Sequence, residues 1–578
     1  VTAHRGAVKA ELDAFVAAGE ADLAAALKLD LQAPGGLVAA YEARKTRTGE
    51  LDFADLLFRL ARVLREDAEL REKLQRRFTH IFVDEFQDTD PVQAELVLLL
   101  ASADPKQADP RAVQVVPGKL FIVGDPKQSI YRFRRADIAL YESVKRQLLG
   151  QGARLLHLTT SFRGVRAIQA AVNAAFEGSM SGGVQASWVP LSEFRPDPTP
   201  EDRAPPPLIA LPIPEPYGGS VWSPKITKKA IQASAPDVVG ALVAWLCQES
   251  GFTILDEGAR VPLAPHHICL IFRRFQAYGE DLTQAYTRAL EARGVRHVLV
   301  GGSTFHDRDE VLAVRTALTA VEWPDDELAV YGALHGPLIA LEDSLLFAWK
   351  HHIGALDPSQ FRTLPDEQPS YLERRLSERT TEEQALLSPV RDALALLGRL
   401  HAARNRVPIA DTLSTLLEAV RAHAGLALSH GGERALANVL RLVDVGRDFE
   451  GDGATSFRAF IERLGEDAAR GAGSEAMAAE EGAEGVRLIT AHKAKGLEFP
   501  VVVLCDPTAE RTKSRADLWI DAEAGLWAGR LGGLAPHELL DRAEAAMDRD
   551  TEEVDRLAYV AATRARDCLI VPFCTAAP

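Results

Sequence analysis

The sequence predicts an α/β protein built on doubly wound parallel sheet, and three observations carry that prediction. Short β-branched and aromatic runs recur at Ile81–Val83, Leu120–Val123 and Leu155–Leu158. Helical segments separate them, Val92–Leu100 and Ile138–Leu149, and a further one follows Arg163. The runs are near-continuously apolar, as strands buried on both faces are, and the β-then-α order is that of parallel crossovers. The first run ends in the adjacent acids Asp84 and Glu85. In such sheets ligands bind beyond the carboxyl ends of the strands.

Taken in order, residues 1 to about 77 are rich in Ala, Leu, Glu and Arg with helical periodicity, as in Phe53, Leu56, Leu57 and Leu60, and Asp52 is placed to cap that helix. The strand–helix alternation occupies the next eighty or so residues. Ten prolines crowd between Arg195 and Lys225, which predicts an extended surface connection rather than a domain. Strand patterns return at Ile268–Phe272 and Val295–Val300, and from about Val311 to Leu464 the pattern is helical, as for an inserted α-domain. The Ala/Glu/Gly segment from Gly465 to Gly485 reads as a link leading out of it. Strands resume at Val486–Ile489 and Val501–Leu504, and a last helix from Glu552 to about Arg566 leads into Cys568–Val571.

With 578 residues the chain exceeds a single core. A composition 47% hydrophobic and 26% charged is that of an ordinary soluble globular protein, and no apolar run reaches eighteen residues. Five cysteines (Cys247, Cys269, Cys505, Cys568, Cys574) form no C-x-x-C pair, which argues for a reducing, cytoplasmic setting and against a zinc or iron–sulfur centre. The formal net charge of −16 gives no support to bulk electrostatic attraction to nucleic acid, so any such binding must use a local basic and aromatic groove.

Five clusters carry chemistry. In Asp84-Glu85-Phe86-Gln87-Asp88-Thr89 one acid can hold Mg²⁺ on a nucleotide while its neighbour polarises the attacking water. An arbitrary Asp-Glu pair is usually no more than an exposed strand end; the longer string tells against chance. The second strand exits through Gly124 into Asp125-Pro126-Lys127-Gln128, where Gln128 can sense a terminal phosphate. Tyr131, Arg132, Phe133 and Arg134 then alternate flat rings for unpaired bases with arginines for phosphates. The bland alternative puts both rings in the core. Arg163, after Thr159-Thr160-Ser161-Phe162, is either a structural ion-pair partner or a finger that stabilises charge on a transferring phosphoryl group. In Thr490-Ala491-His492-Lys493-Ala494-Lys495-Gly496-Leu497-Glu498 a strand breaks into a basic turn. Glu498 can accept from a ribose, and Thr490 and His492 can face a nucleic-acid backbone. Last, Tyr559 and Thr563 lie a helical turn apart with Arg564 beside them, where a cation is also an ordinary dipole partner.

Together and in this order, the five clusters resemble the motifs of superfamily 1 DNA helicases of the UvrD/RecB type, and most of all the RecB and AddA helicase-nuclease branch. The resemblance runs from about Asp52 to Val571. It implies two RecA-like motor domains of the P-loop-NTPase type, each with a helical insertion. The corresponding division is 1–77 (helical insertion, partial), 78–157 (first motor, incomplete), 158–315 (second motor, first segment, with the Pro-rich connection 195–225), 316–475 (helical insertion) and 476–578 (second motor, return segment). It implies that Asp84 and Glu85 serve Mg²⁺ and water, and that Gln87, Gln128, Arg163, Gly496, Glu498 and Arg564 serve ATP. It further implies that Tyr131, Phe133, Arg134, Thr490 and His492 serve single-stranded DNA. The implied activity is ATP-driven 3′→5′ movement and unwinding of 3′-tailed duplex in repair and recombination, with a helicase-nuclease partner protein and away from membranes.

Two departures bear on this. No G-x-x-x-x-G-K-[ST] loop occurs; Gly118-Lys119 is followed by Leu120 and lacks the leading glycine. The expectation is a chain cut upstream, since Gln128, Arg163 and Arg564 are intact, and the 578 residues alone are then expected to bind ATP weakly or not at all. Arg135 also stands where the family usually has glycine. No nuclease segment follows the last cluster. The rival expectations are a catalytically inactive DNA-binding or scaffolding component of a helicase-nuclease complex, and a nucleotide switch that hydrolyses ATP without unwinding.

Overall fold

The computed structural model describes residues 2–574 except 181–184, 215–226, 257, 278–279, 301–304, 362–367, 429–431, 452, 454–455, 470–484, 507–514 and 522–523. It divides into two compact units, 1–297 with 484–578, and 298–483.

The first unit begins with four helices, Thr2–Gln32, Leu37–Thr48, Phe53–Glu66 and Ala68–Arg77. Asp52 caps the third through a reciprocal pair with Asp55, and buried Lys45 gathers both carboxylates. Two short strands follow, Ile81–Val83 and Leu120–Ile122, paired in parallel and in register. Between them Asp90 caps the helix Pro91–Ala101, whose first residue is the proline that a helix tolerates there. Five parallel strands of the larger sheet lie in the order Val486–Thr490, Ile268–Phe272, Phe499–Leu504, Ala565–Cys574 and Leu208–Ile213. Ile268–Phe272 is buried at every position, which explains its unbroken apolar run. The helix Lys228–Gln248 is long and apolar enough to cross a membrane. Here it packs on the sheet instead, with Ile231 and Ala235 against Ile213.

The second unit is largely helical among its described residues, from Asp309–Glu322 to Phe457–Ala469. Its core centres on fully buried Trp349, Leu394, Leu413, Phe457 and Phe460.

Several expectations need correction. Leu155–Leu158 forms no strand; the strand is Thr160–Val165, and Leu156 and Leu158 are exposed. The Pro-rich stretch 195–225 is not simply a connection, because Leu208–Ile213 is a strand of the central sheet. Pro212 is admitted because this strand lies at the edge, where a missing N–H costs no ladder bond. Residues 215–226 lie outside the described set. The last helix runs earlier than expected, Ala543–Ala562, and hands over directly to Ala565–Cys574. Three antiparallel strand pairs among the described residues are not foreseen in the sequence, Thr253–Asp256 with Ala259–Pro262, Gln276–Ala277 with Glu280–Asp281, and Leu518–Asp521 with Leu526–Gly529.

Candidate nucleotide and nucleic-acid site

The site is assembled in the first unit, where strand ends of both sheets meet. Asp84 and Glu85 leave Ile81–Val83 into solvent, and the Glu85 N–H donates to Asp84 Oδ1 at 2.8 Å. Glu85 sits in the left-handed region at φ 51°, a strained conformation for a non-glycine residue of the sort that gathers at functional sites. Gln87 behind them is 1% exposed. Its amide nitrogen donates to the Glu85 carboxylate, and its Oε1 accepts from the Asp125 N–H at 2.9 Å. Gln87 therefore ties the two strand ends together. Expected as a nucleotide contact, it stands one layer behind that position. Gly124 is needed for the same approach, since a Cβ there would meet Gln87 Oε1 at 2.9 Å and the Tyr141 ring at 3.1 Å.

The groups expected to handle phosphate form one connected set. Arg564 is 1% exposed. Its guanidinium donates to Val560 O at 2.9 Å, Leu497 O at 3.2 Å, Thr563 Oγ1 at 3.0 Å and Gln128 Oε1 at 3.4 Å, all neutral oxygens. Burial, with Arg163 nearby, pushes it down to about 10. Arg163 Nε donates to Glu498 Oε2 at 2.9 Å and its Nη1 to Thr563 O at 3.3 Å. Gln128 Nε2 donates to Asp125 Oδ2 at 2.9 Å. Lys495, almost wholly buried, donates to Gln128 O at 2.8 Å and to the Asp88 carboxylate, and lies 3.7 Å from Glu85. Burial raises Asp88 against the opposing pull of Lys495. Sequence reasoning gives Lys495 no role of its own, and nothing in its spacing marks it. Gly496 lies at φ 83°, a turn conformation natural to glycine.

Beyond Gln128 the rings gather. Tyr131, Phe133 and His492 have centroids 5.7–6.0 Å apart. The Tyr131 hydroxyl donates to His492 O at 3.1 Å, and the Arg134 guanidinium lies over both rings at 5.3 and 5.7 Å. Phe133 is 62% exposed, so the core alternative for this ring fails. Arg132, by contrast, is buried against the helix Ala543–Ala562, which removes it from the phosphate contacts suggested by the alternation. Arg135 occupies φ 72°, the conformation that makes glycine the easier residue at this place. Thr490 ends its strand beside this group, half-buried.

Burial holds His492 below the ordinary imidazole value of 6.5, with a hydrogen bond to the Ile130 backbone opposing. A histidine so depressed takes up its proton more readily in the unfolded chain. Its share of stability is therefore full above about 6.5 and is lost as the pH falls below that value. His492→Asn is expected to unfold with less acid sensitivity than the parent in urea titrations across that range. An identical pH dependence would remove His492 from the account. His267 is lowered in the same direction in both proteins, so the comparison isolates His492.

Asp256, His266 and His267 bring ligand-type atoms within 4.8 Å of one another. His267 Nδ1 accepts the Ala264 N–H at 3.0 Å, so the neutral ring carries its proton on Nε2 and has no lone pair there for a metal.

Acids at one strand end and arginines from elements far apart in sequence are thus brought into one connected polar set within the first unit. A family model of the UvrD/REP helicase N-terminal domain matches residues 25–148, and one of the UvrD-like helicase C-terminal domain matches residues 266–576, more than half of the chain. The chain belongs to the UvrD-like helicase family. It is similar to an ATP-dependent helicase/nuclease protein of Limosilactobacillus fermentum, 24% identical over 87% of this chain and 42% of that protein. The protein of the same name from Geobacillus kaustophilus is 27% identical over 80% and 37%. The ATP-dependent DNA helicase UvrD1 of Mycobacterium tuberculosis is 26% identical over 92% and 59%. The chain thus spans between 37% and 59% of the length of these relatives.

Proposed function

We propose that this chain is the motor portion of an ATP-dependent DNA helicase that moves 3′→5′ along single strands in repair and recombination. One observation carries the reading: Arg564 is almost wholly buried with Arg163 nearby, and its guanidinium hydrogen bonds go to neutral oxygens. Glu498 offsets Arg163, but the buried Arg564 near it is unfavourable unless a further anion joins it. A terminal phosphate between the lobes is that anion, sensed by Gln128.

ATP supplies the anhydride bond whose cleavage drives the motor. Asp84 would hold Mg²⁺, which would supply charge stabilisation to the phosphates; Glu85 would orient and deprotonate water, Arg163 and Arg564 would take up phosphoryl charge, and Glu498 and Gly496 would hold the ribose side. In the present state Glu498 engages Arg163, so nucleotide entry replaces one ion pair by two interactions. Tyr131, Phe133, Arg134, Thr490 and His492 face the DNA strand. The division into two motor lobes, near 78–157 and 158–315 with 476–578, belongs to the same proposal. So do the cytoplasmic location and a helicase-nuclease partner of the kind that the names of the relatives suggest.

Hydrolysis needs a phosphate-binding loop, and the two-stranded sheet offers the place for one. Its Phe82 and Phe121 rings are 76% and 54% exposed and 5.9 Å apart. A parallel sheet is buried on both faces when complete, and two strands alone are marginal. The loop is therefore assigned to polypeptide that pairs with or covers this sheet. Expressed with its native flanking sequence, the protein should release phosphate from ATP in a DNA-stimulated manner and displace the strand from a 3′-tailed duplex. Phosphate release without displacement would leave the nucleotide switch, and DNA binding without phosphate release the inactive scaffold.

A further inference from the structure

One helix, Ala543–Ala562, grips the turn that runs from Gln128 to Phe133 at two points, Ser129 and Arg132. Ala546, Asp550, Glu553 and Arg556 recur every three or four residues and so share a face. Arg132, 9% exposed, donates to Ala546 O at 3.2 Å, to the Asp550 carboxylate and, from Nη2, to Leu518 O at 2.6 Å. Its backbone N–H donates to Glu553 Oε1 at 3.0 Å. Arg556, 4% exposed, donates from Nε to Ser129 O at 2.8 Å and from Nη1 to Gln185 Oε1 at 2.5 Å. The same face continues through Val560 to Arg564, which reaches Gln128. The helix thus holds the base of the DNA-facing rings, and Arg564, two residues past its end, reaches the phosphate sensor.

Buried arginines are costly unless fully paired, and removing one partner leaves an uncompensated charge. Such a network fixes one arrangement rather than adding cohesion. On the DNA-motor reading, we propose that Arg132, Asp550, Glu553 and Arg556 are positioning residues: they set where Tyr131 and Phe133 present their faces, at fixed reach from Gln128 and Arg564. Arg132 then acts without touching DNA, although it lies between two rings in the sequence.

The test uses the protein in its native flanking sequence, a fluorescein-labelled oligothymidylate, and a second oligonucleotide carrying an interior 2-aminopurine, each across a salt series. Asp550→Asn should weaken binding roughly tenfold at every salt, the scale of losing one stacked base, and diminish the 2-aminopurine response. Its slope of log affinity against log salt should equal that of the parent. Asp550→Glu should restore parental affinity, whereas Arg134→Gln, a phosphate contact, should flatten the slope by about 0.7. Should Asp550→Asn lose its thermal transition, Glu553→Gln is read in its place. Parental affinity in the neutralised variant, a flattened slope like that of Arg134→Gln, or no recovery with glutamate would overturn the positioning role. Failure of the parent chain to bind either oligonucleotide overturns the DNA reading itself, and the clamp's role with it.

Discussion

Replacing Arg564 with alanine should slow DNA-stimulated ATP turnover by about 10³–10⁵, the worth of an arginine that meets phosphoryl charge in the transition state. The guanidinium is held by four neutral oxygens with Arg163 nearby, so its charge is free to act on an anion. Although burial brings it down to about 10, it stays protonated at neutral pH. Arg564→Lys should recover little, because an ammonium cannot span Val560 O, Leu497 O and Gln128 Oε1 at once. Single-turnover phosphate release at saturating DNA measures this. A loss below about tenfold would return Arg564 to the structural role of a cation near a helix end.

Glu85→Gln should leave nucleotide and DNA binding intact while lowering the hydrolytic rate by about 10²–10⁴, the usual contribution of a positioned general base. Glutamine keeps the size of the side chain and an oxygen that can accept from Gln87, so the strained turn at φ 51° need not rearrange. A fall in kcat with an unchanged KM separates lost proton transfer from lost binding. If kcat were preserved, water activation would have to be assigned elsewhere, and Asp88, tied to Lys495, is poorly placed to take it.

Much of this site was legible because strands of a parallel sheet deliver their terminal residues to one edge. Once Ile81–Val83 and Leu120–Ile122 pair in parallel, the segments that carry Asp84, Glu85 and Gln128 leave the same sheet edge. The end of the last helix was less legible: the sequence places Arg564 inside it, whereas the helix stops at Ala562 and Arg564 stands in the turn before Ala565–Cys574. What periodicity could not show was which arginines are spent inside. Arg132 and Arg134 are equivalent in the string Tyr-Arg-Phe-Arg, yet a 3₁₀ turn sends one into the helix Ala543–Ala562 and leaves the other over the rings. The strand Leu208–Ile213 was hidden by its prolines, which argue against a central strand but are compatible with an edge. Leu155–Leu158 misled in the opposite sense, since an apolar run becomes a strand only where a ladder partner is available.

The most direct test of the motor account is stopped-flow translocation on oligothymidylates of increasing length carrying a dye at one end. With ATP, the protein in its native flanking sequence should show a delay that lengthens linearly with oligonucleotide length when the dye is at the 5′ end, and none that depends on length when it is at the 3′ end. A delay independent of length at both ends, while ATP is being consumed, would mean that the acids and arginines gathered here do not drive movement along DNA.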